Sequence, residues 1–186
     1  MNPAGALIFI LKYVFDIYIM IVLARFILQL VRADFYNPVS QFIVKVTTPI
    51  LKPLRRIIPG FGGIDVASIV LMITLVLVKI IIIILISYGS IAGLSPVTLA
   101  ITTLNSAANT VLNFYLFCIF IGIIFSWVSQ GAYNPFAALM QQITEPVLAP
   151  ARKLIPAMGG LDLSPMLVIM LITAIKILFG LGQGPF

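Results

Sequence analysis

The chain has no histidine, one cysteine and five acidic residues among 186. Without histidine, imidazole-based catalytic triads, haem ligation through histidine and most zinc or copper sites are excluded. Cys118 stands alone inside an apolar run, so it forms no internal disulfide and reads as a packing residue. Charged residues make up 9% of the chain, against about 25% in soluble proteins. None of them falls between Ile80 and Thr144. A soluble protein could not solvate such a surface. Instead, 62% of the residues are hydrophobic, which is the composition of an integral membrane protein. The length suits four membrane spans and leaves no room for an extramembrane domain.

Lysine and arginine number eleven, giving a net charge of +6. The cations sit near the ends of the apolar stretches. Orientation and anionic lipid headgroups therefore explain them, and nucleic acid is not expected as a partner. The N-terminus lacks a basic region ahead of its apolar stretch, and Lys12, Asp16 and Arg25 interrupt that stretch. It reads as a retained first span rather than a signal peptide.

The chain repeats itself. Residues 36–65 align with residues 133–162 at a constant offset of 97, with 13 of 30 positions identical. Tyr36, Asn37 and Pro38 return as Tyr133, Asn134 and Pro135. Pro49, Pro53, Arg55, Pro59, Gly62, Gly63 and Asp65 return as Pro146, Pro150, Arg152, Pro156, Gly159, Gly160 and Asp162. Such internal symmetry marks a duplicated membrane module.

Two modules follow, 1–92 and 93–186. Spans are predicted at about 6–31 and 66–87 in the first, and at about 110–128 and 163–181 in the second. The milder stretch 97–109 reads as a separate interfacial lead-in. Asn37-Pro38 and Asn134-Pro135 read as a cap followed by proline at the first helical position. They predict interfacial amphipathic helices at 38–48 and 135–145, too short to span. Val39, Phe42, Ile43, Val46 and Ile50 supply the apolar stripe of the first. Pro49 and Pro146 are expected to end or kink these helices. The Gly pairs supply tight turns, and Asp65 and Asp162 are expected to cap the spans that follow. The predicted fold is all-α integral membrane, with four transmembrane helices as two parallel tandem hairpin repeats. Basic residues gather in both repeated segments, which places those segments in the cytoplasm and both termini outside.

Several of these elements resemble the YggT/YlmG family of small integral membrane proteins. They are Ser126-Trp127, Tyr133-Asn134-Pro135, Thr144-Glu145-Pro146, Pro150 to Pro156, Gly159-Gly160 and Asp162-Leu163-Ser164-Pro165. The resemblance covers nearly the whole chain as two tandem units, the form similar to that of proteobacteria. The first unit departs from the pattern, with Gln29-Leu30 for Ser126-Trp127, Thr48 for Glu145 and Ala67-Ser68 for Ser164-Pro165. It keeps Arg25, where the second unit has Gly122. The resemblance implies a bacterial inner membrane location. It also implies links to osmotic or ion stress, cell division and envelope organisation, and in plastids to nucleoid distribution and cytochrome assembly. It supplies no catalytic residues, and neither an enzyme activity, a cofactor nor a metal is expected.

Lys79 and Lys176 correspond at the same offset, and each lies inside an apolar span. An intramembrane lysine is costly and needs a partner or water. Asp16 lies about 15 residues from the cytoplasmic end of its span, roughly 22 Å, and Lys79 about 13 residues, roughly 20 Å. They can therefore pair. In the second unit the matching positions hold Asn113 and Lys176, an amide for the acid. One reading of these residues is an ion or proton pathway, or an anion site at Lys176. The other is a structural Asp16–Lys79 pair with Lys176 reaching toward the outer headgroups.

Arg55, Arg56, Arg152 and Lys153 are candidates for binding anionic lipid or a partner complex. The expected function is that of a non-enzymatic organising or assembly factor, working through self-association or a membrane-complex partner. The alternative is an oligomeric ion channel or transporter component using Lys79, Lys176 and Asp16.

Overall fold

The computed structural model describes residues 3–91, 93, 95–128, 134–155 and 162–182. Among these residues the chain forms six helices and no strand, apart from one bridge between Phe61 and Ile64. They are α1 (Pro3–Leu30), α2 (Pro38–Ile57), α3 (Val66–Tyr88), α4 (Pro96–Val128), α5 (Pro135–Leu154) and α6 (Ser164–Leu178). Three of them, α1, α3 and α4, are long and apolar enough to cross a membrane. Their 28, 23 and 33 residues reach roughly 42, 35 and 50 Å at the helical rise. A hydrocarbon layer is about 30 Å thick. The fourth apolar helix, α6, has 15 residues.

α1 packs chiefly against α3, and α4 packs against α5, α3 and α6. Ile19, Val22 and Leu23 of α1 meet Val76, Ile80 and Ile84 of α3 in the main core. Phe114 and the buried Cys118 of α4 join the same cluster. A smaller cluster joins Ile119 of α4, Leu148 of α5 and Val168 and Ile172 of α6.

Three element boundaries differ from the sequence reading. The stretch 97–109 is not a separate lead-in, because α4 is continuous from Pro96. Its threonines bond their own helix, Thr102 and Thr103 to the carbonyls of Thr98 and Leu99 at 2.8 Å each. The polar side chains thus leave the helix unbroken.

The interfacial helices do not stop at 48 and 145. α2 and α5 run through Pro49 and Pro53, and through Pro146 and Pro150, to 20 residues each. Pro49 removes the donor that would bond the Lys45 carbonyl and so opens the turn before it, as Pro146 does at Gln142, and side-chain donors brace that turn at neighbouring carbonyls. Here the Val44 carbonyl accepts from Thr48 Oγ1 at 2.5 Å, Arg25 Nη1 at 3.2 Å and Thr47 Oγ1 at 3.4 Å. Thr144 makes the matching bonds to the Met140 and Gln141 carbonyls, at 2.9 and 3.4 Å.

The expected apolar stripe of α2 is also split. Its inward face is Ser40, Ile43, Thr47 and Leu51, while Phe42 and Ile50 stay exposed.

Candidate functional site

The repeated segments fold into two related clamps, each tying a proline-containing helix to the head of the next apolar helix. In the first, Asn37 caps α2, its Oδ1 accepting from the Val39 N–H at 2.9 Å. Its Nδ2 donates to the Pro135 carbonyl at 2.6 Å and so ties the two units together. Asn134 repeats the cap on Phe136 N–H at 2.9 Å. α2 ends at Ile57 with Ile58 as its C-cap, and the chain turns at Gly62 and Gly63, whose φ values are 59° and 83°. Phe61 and Ile64 exchange backbone bonds of 3.2 and 2.9 Å across that turn. Only glycine adopts two successive positive φ values at little cost, which explains the pair.

The turn brings Asp65 back onto Arg55. Arg55 Nε donates to Asp65 Oδ1 at 3.2 Å, and Nη2 donates to Oδ2. Ser68 Oγ donates to Oδ2 at 2.5 Å. Asp65 precedes α3 but makes no side-chain cap bond to its backbone. This corrects the expected cap, because the carboxylate is taken by Arg55 and Ser68 instead. Burial alone would raise its pKa, but donation from Arg55 and Ser68 outweighs that and holds it below the usual carboxylate range.

In the second unit Arg152 Nε donates to Asp162 Oδ2 at 2.9 Å. Its Nη1 donates to Glu145 Oε1 and Oε2 at 2.9 and 2.8 Å. Glu145 first and Asp162 second raise the Arg152 pKa. Asp162 Oδ1 accepts the Ser164 N–H at 2.9 Å, but from one residue before the cap position, which is Leu163 and not Asp162 as expected. Its pKa too is lowered: burial opposes ionisation, but bonds from Ser164 and Arg152 outweigh it. Gly159 and Gly160, with Tyr133 and Pro156, lie outside the described residues.

Of the four repeated cations, Arg55 and Arg152 are therefore committed to the clamps. Arg56 and Lys153 are exposed. Exposed apolar residues flank them, Ile57 at 78% and Leu154 at 74%.

Arg25 joins the first clamp from α1, bonding Thr47 Oγ1 at 3.3 Å and lying within electrostatic reach of Arg55 and Asp65. The first cluster thus has Arg25, Arg55 and Asp65, and one surplus positive charge. The second has Glu145, Arg152 and Asp162, and one surplus negative charge. Sequence reasoning noted Arg25 and Glu145 as departures between the units and missed that each enters the clamp of its own unit. The offset of 97 carried that signal.

Each of the two lysines bonds the residue that the offset pairs with it, Lys79 from the middle of α3 and Lys176 from the last turn of α6. Lys79 Nζ donates to Asp16 Oδ1 at 2.7 Å, with Lys79 only 4% exposed. Lys176 Nζ donates to Asn113 Oδ1 at 2.6 Å and remains partly exposed. A cavity of about 220 Å³ lined by Leu116, Thr173, Ile177 and Leu181 adjoins Lys176. Another, of about 310 Å³, lies between α1, α3 and α4 and is almost wholly apolar. Among the described residues there is no group of three or more potential metal-ligating side chains.

Three long apolar helices and charges paired at depth define a multi-pass membrane protein. The CCB3/YggT family model matches the chain twice, over residues 4–86 and 101–183, and the chain belongs to that family. An uncharacterized protein of Pseudomonas aeruginosa is 50% identical over 93% of this chain and 87% of its own length. One of Vibrio alginolyticus is 44% identical over 95% of both. A protein of Escherichia coli named YggT is 38% identical over 92% of this chain and 88% of its own. No solved structure matches. Neither the family's description nor these names indicate an enzyme.

Proposed function

We propose that the protein is an organising or assembly factor of the bacterial inner membrane that acts without chemistry. It crosses the membrane four times as two parallel hairpins. α2 and α5 lie as amphipathic helices at the cytoplasmic surface, and both termini are outside. The observation that carries this reading is the pair of clamps. Each fixes a proline-containing helix beside the head of an apolar helix and leaves one cation, Arg56 or Lys153, exposed among apolar residues. A cation beside exposed isoleucine or leucine suits an anionic headgroup above acyl chains. Phe42, 59% exposed, extends the same kind of surface. The same surface is the docking face for a partner complex, and the outcome in the cell is envelope organisation or tolerance of osmotic stress.

The channel alternative has less behind it. Asp16 and Lys79 neutralise each other, so of the three residues that reading uses, Lys176 alone is left without an opposite charge.

The test is the Arg56→Glu, Lys153→Glu double variant of the full chain. Reconstituted into discs of mixed neutral and anionic lipid, the wild type should enrich anionic lipid around itself and the variant should not. Cells carrying the variant should grow poorly in high osmolarity. Unchanged lipid enrichment together with normal growth would overturn the reading.

A further inference from the structure

The duplication allows matched helices to be compared. α4 is the second unit's counterpart of α1, at the offset of 97. In α4, Thr103, Ala107 and Phe114 are buried. Ala107 and Phe114 belong to the main core, which is built chiefly from α1 and α3. Their counterparts in α1 are Ala6, Ile10 and Ile17. All three are exposed, the two isoleucines at 59% each. The face that α4 packs against the other unit is thus left open on α1.

α3 and α6 differ in the complementary way. Ile69 of α3 lines the 310 Å³ cavity with Val111 and Tyr115 of α4, and Ile73 packs on the main core. Their counterparts on α6, Met166 and Met170, are 72% and 61% exposed. α4 of the other unit covers α3, and among the described residues no element covers α6 in the same way.

The joint between the units is therefore heterologous: the last apolar helix of one unit meets the first of the next. Were the units related by a half-turn, α6 would pack on α1 as α3 packs on α4. Among the described residues it makes no comparable contact. One half of the joint is left over on α1 and the other half on α6. A second copy of the chain carries both missing halves.

Lipid is the other cover for such faces, and Asp16 argues against it on α1. Asp16 is 13 residues from Pro3 and 14 from Leu30, roughly 20 Å from either end at the helical rise. Its carboxylate bonds Lys79, yet its side chain is 38% exposed. It lies one turn from the exposed Tyr13, at the edge of the open face. Hydrocarbon does not solvate a carboxylate, and charges at such depth face protein or a water-lined cavity. A helix packed on α1 closes that exposure.

We infer that a second copy of this chain packs its α6 against α1 of the first and so repeats between chains the α3–α4 joint made within one. Met166 and Met170 of one copy lie along Ile10, Val14 and Ile17 of the other. Parallel units keep one sidedness, so both copies insert in the same orientation. The inference rests on the proposed function only for that parallel arrangement of spans, and goes beyond it in naming what covers α1 and α6.

The test co-expresses two differently tagged full-length chains in native membranes, one with Val14→Cys and the other with Met166→Cys. These positions correspond to Val111 and Ile69, which line one cavity across the internal joint. Cys118 is buried and stays out of the reaction. A short bifunctional thiol reagent should join the two tags in one dimer. Phe120→Cys, on an exposed side of α4, should give no such product with Met166→Cys. Energy transfer between labelled copies in proteoliposomes then measures association. Val14→Trp overfills the joint and should weaken association about tenfold. Phe120→Trp should leave it unchanged. Val14 is exposed in the single chain, so the melting of Val14→Trp in detergent should match that of wild type and separate lost association from lost folding.

Failure to join the two tagged chains overturns the inference, and so does a Val14→Cys, Met166→Cys double variant that cross-links only within itself. Association indifferent to Val14→Trp overturns it too. Arg56→Glu with Lys153→Glu should leave the dimer in place, because neither residue lies on α1 or α6. Normal lipid enrichment without the dimer would remove this joint and keep the cytoplasmic-surface reading. The dimer without lipid enrichment would do the reverse.

Discussion

Arg55 closes on Asp65 through both arms of its guanidinium, across a connection that includes Pro59 and the Gly62-Gly63 turn. The pair joins the last turn of α2 to the start of α3. Two charge-assisted bonds and one turn therefore hold α2 to the start of α3. Asp65→Asn should lower stability by about 1–3 kcal/mol, the range for unmaking a charged hydrogen bond at a buried acceptor. The side chain of Arg55 is 36% exposed, so solvent softens the loss below that of a fully buried pair. Asp162→Asn should cost less, because its carboxylate is 39% exposed. Thermal unfolding in detergent compares the two, and an equal or reversed order would contradict the assignment.

Acid should act through the same carboxylates. Asp65 and Asp162 are both held below their usual range in the folded protein. The unfolded chain binds protons first, so their contribution is complete above the unfolded pKa. It is lost as pH falls through the folded one. Melting midpoints should drop between about pH 5 and pH 3, the region where carboxylates titrate. The drop should be shallower in the Asp65→Asn, Asp162→Asn double variant. An identical slope in wild type and variant would assign the acid sensitivity to other groups.

Gly63 has a φ of 83°, and a Cβ there would touch nothing within 4 Å. Gly63→Ala therefore tests backbone strain alone. A loss of about 1–2 kcal/mol is expected, the cost of left-handed backbone for a residue with a Cβ. Unchanged melting would mean that the turn is free to change its geometry.

Removing one half of a buried ion pair leaves the other uncompensated, whereas removing both is often mild. Lys79→Met or Asp16→Asn alone should destabilise the protein, Asp16→Asn the more, since it leaves the nearly buried Lys79 charged. The expected single-variant loss is about 2–4 kcal/mol, reduced from the fully buried figure because Asp16 is 38% exposed. The Asp16→Asn, Lys79→Met double variant should recover part of it. Additive losses would show that the two side chains act separately.

Much of this was legible before the fold was known, and for one reason. The offset of 97 matches residues to residues, so the Lys79–Asp16 pair follows from counting turns in spans of similar length, whereas Lys176 was expected to serve a pathway or reach the outer headgroups and instead bonds Asn113. What counting missed was cooperation between elements. Pro49 reads as a helix stop in isolation, yet Thr47, Thr48 and Arg25 supply donors to the turn it opens. Arg55 reads as a surface cation until the Gly62-Gly63 turn returns Asp65 to it. The side-chain bonds of Thr102 and Thr103 within α4 have no sequence signature beyond hydroxyls at the right register.

The exchange between Arg25 and Glu145 can be tested by moving a charge from one unit to the other. Gly122 stands where the first unit has Arg25, and a Cβ there would meet nothing within 4 Å. Thr48 stands where the second unit has Glu145. If the clamps are one device with two charge solutions, an arginine brought from α4 should find Glu145 in reach. Gly122→Arg should then stabilise the protein by about 0.5–1 kcal/mol beyond Gly122→Ala, the scale of a partly exposed ion pair. The alanine control matters, because replacing a helical glycine is itself worth about 1 kcal/mol. In a Glu145→Thr background the extra gain should vanish or change sign, since Arg152 then faces a second cation with one acid fewer. A full double-mutant cycle on melting free energy measures the coupling. Equal gains in the two backgrounds would show that position 122 does not reach the clamp and that the units are alike in sequence but not in mechanism.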